Sequence, residues 1–242
     1  MSAAEKAWFV SDVHLNPADP ARAERFLRFL DSWTRADCSL FILGDLFDYW
    51  LGDDHAAGPD YRKVLERFAA LAAHPQPIHF LFGNRDFLID RPDRAPKGLR
   101  FLGFEHELVL GGKRVLLCHG DRLCTRDRRY QRMRRILQSG PLRAGLRSLP
   151  LSVKERLALR MRRASQGEIA RKDAWTLEIP PEALAPHFAR GIDAVVCGHI
   201  HKQAAQTIQT GPKDGLLYTL KDWCAGSPYL EWNGEFAFRQ GS

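Results

Sequence analysis

A chain of 242 residues, 45% of them hydrophobic, can bury one sizeable core and suggests one large domain carrying an insertion. No apolar run nears the roughly 18 residues that a membrane span needs, and Met1–Lys6 lacks an apolar signal region, so a cytosolic protein is expected. The net charge of +7 is uneven: Arg122–Lys172 holds sixteen Lys/Arg against three Asp/Glu, about +13, which leaves about −6 elsewhere and assigns the basic character to one segment.

In chain order, Ala7–Val10 reads as a first strand and Ser11–Leu15 as its loop. Ala23, Phe26, Leu27 and Leu30 recur at helical spacing and predict a helix over Pro20–Trp33. The apolar run Cys38–Leu43 is a second strand that stops at Gly44-Asp45. Gly52-Asp53-Asp54 and Gly58-Pro59 mark a loop, and Asp53, Asp54 and His55 form a small polar cluster on it. Val64, Leu65, Phe68 and Leu71 share a face of a helix over Tyr61–Ala73, before a third strand at Ile78–Phe82. This β-α-β-α-β order predicts a layered α/β sheet. Leu99–Phe104, Glu107–Leu110 and Arg114–Cys118 then read as short strands of an antiparallel meander or hairpin. Arg122–Arg163 reads as two or three helices, broken at Ser139-Gly140-Pro141 and Leu149-Pro150. Pro180–Arg190 is a further helix, Asp193–Cys197 a strand, and Gln203–Phe238 several strands. The sum is an α/β chain of two packed sheets flanked by helices, one domain over 1–242 with a helical insertion at about 122–172. The five cysteines include no C-x-x-C pair and are expected to be buried, reduced thiols.

The chemistry lies at the strand ends. Asp12-Val13-His14, Gly44-Asp45, Gly83-Asn84, His119-Gly120-Asp121 and Gly198-His199-Ile200-His201 each follow an apolar run. Open α/β sheets place ligands at the carboxyl ends of their strands. Asp-x-His or Gly-Asp alone says little; His-x-His after a glycine says more, and the ordered set says most. Its mixed oxygen and nitrogen donors suit Mn2+, Mg2+, Fe or Zn, and the lack of thiolates argues against a structural zinc. A carboxylate at the middle strand can bridge two cations, and Asp45 holds that place. His55, His74, His79, His106 and His187 match no ligand position.

The ordered set resembles the calcineurin-like binuclear metallophosphoesterases, over about 190 residues from Asp12 to His201. The resemblance implies a β-sandwich flanked by helices and two divalent ions, with Mn2+ expected. It implies that Asp12, His14, Asp45 and His201 hold one ion and that Asp45, Asn84, His119 and His199 hold the other. Asp121 would orient His119 as an acceptor behind it. Many relatives carry a histidine, able to protonate an alkoxide, where this chain has Arg85. Arginine cannot act as that acid, because its pKa lies above about 12, but its planar fork can clamp a phosphate. The leaving group would then depart as an anion, which favours a pyrophosphate bond. Gly44–Asp54, Gly83–Leu88 and His119–Asp127 resemble more closely the family's UDP-2,3-diacylglucosamine pyrophosphatases of lipid A biosynthesis. That likeness implies substrate contacts from Asn84, Arg85, Asp127, Ser165, Lys172 and His199, and catalytic work by Asp45, Arg85 and Asp121. The chain departs from the pattern at Ile200, at Ile169 and over Trp175–Ile179, departures that bear on the substrate.

The basic insertion carries three apolar sets at helical spacing: Tyr130, Met133, Ile136 and Leu137; Leu142, Leu146 and Leu149; Val153, Leu157 and Met161. It reads as solvated helices packed on the body, or as a cap with apolar residues inside for acyl chains and arginines outside for anionic lipid. A nucleic-acid face is a third reading, weakened by the shortage of aromatics. The expected partners are therefore a nucleotide-linked glycolipid and an anionic membrane surface, with peripheral attachment to the inner membrane. No nucleic acid and no obligate protein partner are expected. The rival readings are a metallophosphoesterase acting on another nucleotide-linked pyrophosphate or phosphodiester, and a binding module that keeps the fold without catalysis.

Overall fold

The computed structural model describes residues 6–52, 61–169, 174–211, 213–223 and 226–241. Asp53, Asp54, His55 and Lys172 lie outside these residues, as does Cys224. Strand β1 (Ala7–Val10) leads to helix α1 (Pro20–Trp33). Asp19 caps this helix, its side chain accepting from the Arg22 backbone N–H at 3.0 Å, and Pro20 fills the first turn, where no donor is needed. Next come β2 (Ser39–Leu43), α2 (Arg62–Ala70) with a 3-10 turn over Leu71–Ala73, and β3 (Ile78–Leu81). They are followed by β4 (Leu99–Gly103), β5 (Glu105–Leu110) and β6 (Lys113–Cys118).

The insertion forms α3 (Arg128–Leu137), α4 (Gly140–Ser148), α5 (Leu151–Ile169) and the short α6 (Ala174–Leu177). The chain ends with α7 (Pro181–Ala189), β7 (Ala194–Cys197), β8 (Ala204–Ile208), β9 (Gly215–Thr219), β10 (Pro228–Trp232) and β11 (Phe236–Gln240).

Two mixed sheets result, in the orders β11-β10-β1-β2-β3-β4 and β5-β6-β7-β9-β8. Strands β1 to β4 run parallel, as do β6, β7 and β9, while the antiparallel pairs lie toward the sheet edges. Side chains alternate across each strand. Phe9, Phe41 and Leu43 therefore meet Val115, Leu117 and Val196 between the sheets, while Val10, Leu40 and Ile42 face Phe26, Phe29 and Phe68 of α1 and α2. The outer face of the second sheet, with Leu116, Val195 and Leu217, is covered by Leu184 and Phe188 of α7. Each buried apolar side chain of this kind contributes about 1.5–3 kcal/mol. Cys38, Cys118, Cys124 and Cys197 are buried free thiols, and burial pushes Cys38 and Cys124 up to about 12.

Two expectations need correction. Leu99–Cys118 is not one meander. Strand β4 pairs parallel to β3 in the first sheet, whereas β5 and β6 form a hairpin in the second. The chain crosses between sheets just after Gly103, whose φ of +93° is available to glycine without cost. The insertion's arginines do not all face outward either. Arg143 and Arg147 reach Asp90 at 3.0 and 2.7 Å, and Arg134 lies 3.7 Å from Asp121. These body carboxylates offer better partners than water to half-buried guanidiniums. Part of the apolar set faces out instead: Met133, Ile136, Val153, Leu157 and Leu159 are exposed, with Ile136 at 63%, whereas Leu146 packs against the core. Lys154 turns in and donates from Nζ to the Leu51 carbonyl at 3.0 Å, tying α5 to the body.

Candidate metal centre

The parallel strands β1, β2 and β3 of one sheet and β6 and β7 of the other all end on the same rim. Beyond those ends stand Asp12 and His14, Asp45, Asn84, His119, and His199 with His201. Two contacts join the sheets there. His119 Nδ1 lies 3.0 Å from the Leu43 carbonyl, and the His199 backbone N–H donates to Asp12 Oδ2 at 2.9 Å.

The backbone bends sharply to bring the side chains in. Asp12, His14, Asp45, His199 and His201 all have φ between +49° and +70°. Few non-glycine residues adopt that region, and such residues cluster at functional sites. The flanking glycines leave room. A Cβ on Gly83 would sit 2.2 Å from Asp45 Oδ1, and one on Gly198 would sit 2.1 Å from Asp12 Oδ2.

Seven donor side chains form two adjoining groups. In the first, Asp12 Oδ1 lies 3.2 Å from His201 Nε2 and 3.7 Å from His14 Nε2, with the two imidazole nitrogens 3.4 Å apart. In the second, Asn84 Oδ1 lies 2.9 Å from His119 Nε2 and 3.1 Å from His199 Nδ1. Asp45 stands between them, with Oδ2 4.0 Å from His14 Nδ1 and Oδ1 3.5 Å from His119 Nε2.

The electrostatics are those of a crowded donor set. Burial pushes the Asp45 carboxyl up against the pull of the nearby His119, and the charges of Asp86 and Asp12 add to the rise. Burial would lower His119, but Asp45 and Asp12 overcome it and raise the ring to about 9. Burial raises Asp12, yet the His201 hydrogen bond and the neighbouring imidazoles hold it well below the usual carboxylate range. Burial and His119 lower His199 to about 4. Among the described residues, His14 Nδ1 is buried with no hydrogen-bond partner. A nitrogen without a partner, facing a carboxylate, in a cluster of oxygen and nitrogen donors, fits a divalent cation.

The calcineurin-like phosphoesterase pattern matches residues 6–203. The chain belongs to that family. As a calcineurin-like phosphoesterase it is a metal-dependent hydrolase, and its donor set is suited to divalent ions. Its curated relatives include the UDP-2,3-diacylglucosamine hydrolase of Aeromonas hydrophila, 36% identical over 219 residues and covering 89% of each chain. Those of Photorhabdus laumondii and Xanthomonas campestris pv. campestris are 38% and 36% identical, each covering 89% of this chain and 90% of their own.

The other expected site residues are placed unevenly. Arg85 sits beside the cluster, with Nε 3.9 Å from Asp45 Oδ2 and Nη1 3.7 Å from Asp48 Oδ1. Asp121 does not meet the expected ring nitrogen of His119, because the Leu43 carbonyl occupies it. The Asp121 carboxylate accepts instead from the Tyr130 hydroxyl at 3.1 Å. Asp127 caps α3, accepting from the Tyr130 backbone N–H at 3.1 Å. Ser165 lies on α5, in a stretch where the structure describes the backbone alone.

One residue of the phosphoesterase site escaped the sequence reading. The fully buried Asp86 accepts the backbone N–H groups of Gly83 at 2.6 Å, Leu46 at 2.9 Å and Asp45 at 3.4 Å. It clamps the β2 and β3 loops together. Its presence in Gly83-Asn84-Arg85-Asp86 was visible in the sequence; its inward direction was not.

Proposed function

We propose that this phosphoesterase hydrolyses the pyrophosphate bond of UDP-2,3-diacylglucosamine to UMP and 2,3-diacylglucosamine 1-phosphate, a step of lipid A biosynthesis. In this reading Asp12, His14, Asp45 and His201 hold one divalent ion and Asp45, Asn84, His119 and His199 a second, with Mn2+ as the metal used. When bound, the ions supply charge neutralisation at the phosphoryl oxygens and a water acidic enough to give a nucleophile at neutral pH.

The chain's own residues set the rest. The observation that carries the reading is Arg85, held at the rim by Asp45 and Asp48. Its guanidinium grips a phosphoryl oxygen and never yields a proton. A leaving group must then depart as a stable anion, as a sugar phosphate does and an alkoxide does not. Asn84 and His199 stand where they can touch substrate as well as metal, and Tyr130 closes the same edge from α3, its ring centroid 5.7 Å from that of His199. Substrate contacts by Asp127, Ser165 and Lys172 rest on family likeness.

The insertion supports the lipid half. Met133, Ile136, Val153, Leu157, Leu159 and Trp175 present apolar surface on helices rich in arginine. Such a face suits acyl chains and an anionic bilayer surface. Peripheral attachment at the cytoplasmic side of the inner membrane follows, and no helix among the described residues is long and apolar enough to cross a membrane.

The test is hydrolysis of acylated and deacylated UDP-glucosamine, with Mn2+ added, at two salt concentrations. Each buried acyl CH2 contributes about 0.8 kcal/mol, so KM should be lower for the acylated substrate by orders of magnitude. Equal rates would overturn the lipid assignment and leave another nucleotide-linked pyrophosphate. No turnover of either substrate would leave a binding module.

A further inference from the structure

A second concavity opens on the active rim, one strand away from the metal ligands. Strand β4 runs parallel to β3, so its end at Gly103-Phe104 faces the same way as Asn84. The α3–α4 corner roofs the gap. A cavity of about 260 Å3 results, walled by Phe82, Phe104, Asp90, Arg122, Gln138 and Arg143. That is small for a whole drug-sized ligand, for which pockets of about 300–1,000 Å3 are usual. It is ample for one ring and part of a sugar.

The walls stand close to the reaction centre. Phe82 precedes Asn84 by two residues, and Arg122 follows His119 by three. An extended chain covers at most about 3.6 Å per residue, which places these backbones within about 7 and 11 Å of those ligands. A nucleotide is long enough to put its phosphorus at the centre and its base in the pocket.

The lining selects the chemistry. The Arg122 guanidinium carbon lies 3.6 Å from the Phe104 ring centroid, so a cation and an aromatic ring pair on one wall, a combination on which a planar base can stack. Arg122 Nη2 is 3.4 Å from Gln138 Oε1. Asp90 is already taken by Arg94 at 2.6 Å, Arg147 at 2.7 Å and Arg143 at 3.0 Å. Arg143 Nε is buried and, among the described residues, has no hydrogen-bond partner. Gln138 Oε1 also accepts from Arg134 Nη1 at 3.4 Å, so the polar capacity left in the pocket is donors: the Arg143 guanidinium and the Gln138 amide N–H. Acyl chains would leave these donors unpaired at a cost. A bare phosphate would use the charges and ignore the phenylalanines. A uracil ring presents two carbonyl acceptors, the complement of the donors on Arg143 and the Gln138 amide.

The geometry points to this pocket as the site that takes the uracil ring of the substrate, with Arg122 on Phe104 as the stacking platform and Gln138 and Arg143 reading the ring's edge. This rests on the uridine nucleotide substrate proposed above and adds what recognises its base. Cytosine, with an amino group in place of one carbonyl, sets a donor against the Arg143 and Gln138 donors and binds less well.

The experiment measures binding of UMP, CMP and ribose 5-phosphate to the metal-loaded protein by calorimetry. Ribose 5-phosphate has the phosphate and the sugar but no base. Stacking and edge contacts should make UMP bind about tenfold more tightly than ribose 5-phosphate, and more tightly than CMP. In Phe104→Ala and in Gln138→Ala that ratio should fall toward one, with melting curves confirming that both variants are folded. Equal affinity for UMP and ribose 5-phosphate in the parent protein would overturn the assignment, as would an unchanged ratio in both folded variants. Hydrolysis of the acylated substrate is followed in parallel. No hydrolysis with the UMP preference intact would sink the proposed function alone; hydrolysis without the preference would sink the pocket alone.

Discussion

Asp86→Ala tests how the loops that carry the proposed metal ligands are held. The parent carboxylate is fully buried and accepts Gly83 N–H and Leu46 N–H at 2.6 and 2.9 Å, with Asp45 N–H at 3.4 Å. Truncation leaves at least two short bonds unmade. Each buried N–H without an acceptor costs about 1–3 kcal/mol, so the loss is about 2–6 kcal/mol. A water entering the space would satisfy some of these groups and bring the cost toward the lower figure. Against a typical total of about 5–15 kcal/mol, this is a large share. The charged carboxylate also carries its own cost, since burial pushes Asp86 up to about 6 against the three N–H bonds that favour the anion. Asp86→Asn keeps one acceptor oxygen and turns an amide toward N–H donors, so it should fall between parent and alanine. Urea unfolding gives the stability, and elemental analysis gives the bound metal. Because Gly83 adjoins Asn84 and Asp45 is itself one of the proposed ligands, metal content should drop with stability. An Asp86→Ala protein within about 0.5 kcal/mol of the parent, with a full metal complement, would refute the clamp.

Arg85→His should cost the pyrophosphate substrate about two orders of magnitude in kcat/KM, because one imidazole cannot replace two charge-assisted bonds, while activity on simple phosphomonoesters should rise as the imidazole supplies an acid; unchanged pyrophosphate turnover would remove the phosphate grip. His79 stacks on Phe41 at 4.6 Å, and burial, with Arg100 adding, lowers its pKa to about 4. The unfolded chain takes up this proton near pH 6.5, so between about pH 6.5 and 4 it binds more protons than the folded state and stability falls as pH drops. His79→Phe removes that proton uptake, so its melting temperature should gain on the parent's as pH falls through this window; a difference independent of pH would exclude the linkage.

The sequence by itself determined what is local. Apolar runs of four to six residues ending at glycine or at hard-ligand residues mark strands and the donors beyond them, because alternation and turn chemistry need only neighbouring residues. Helix limits at Asp19-Pro20 and Leu149-Pro150 were legible for the same reason. Periodicity reports that a face is buried, not what buries it. Only the tertiary structure decided that β4 joins the first sheet and β5 the second, since strand pairing joins residues far apart in the chain. It alone set Arg134, Arg143 and Arg147 against body carboxylates and left Ile136 exposed, because a helix's apolar stripe does not say whether another layer covers it. The left-handed backbone at Asp12, His14, Asp45, His199 and His201 could not be assigned from residue type, because Asp and His visit that region more often than most residues yet adopt it at few of their positions. That conformation persists because two sheets and the Asp86 bonds hold it, and those constraints exist only once the strands have met.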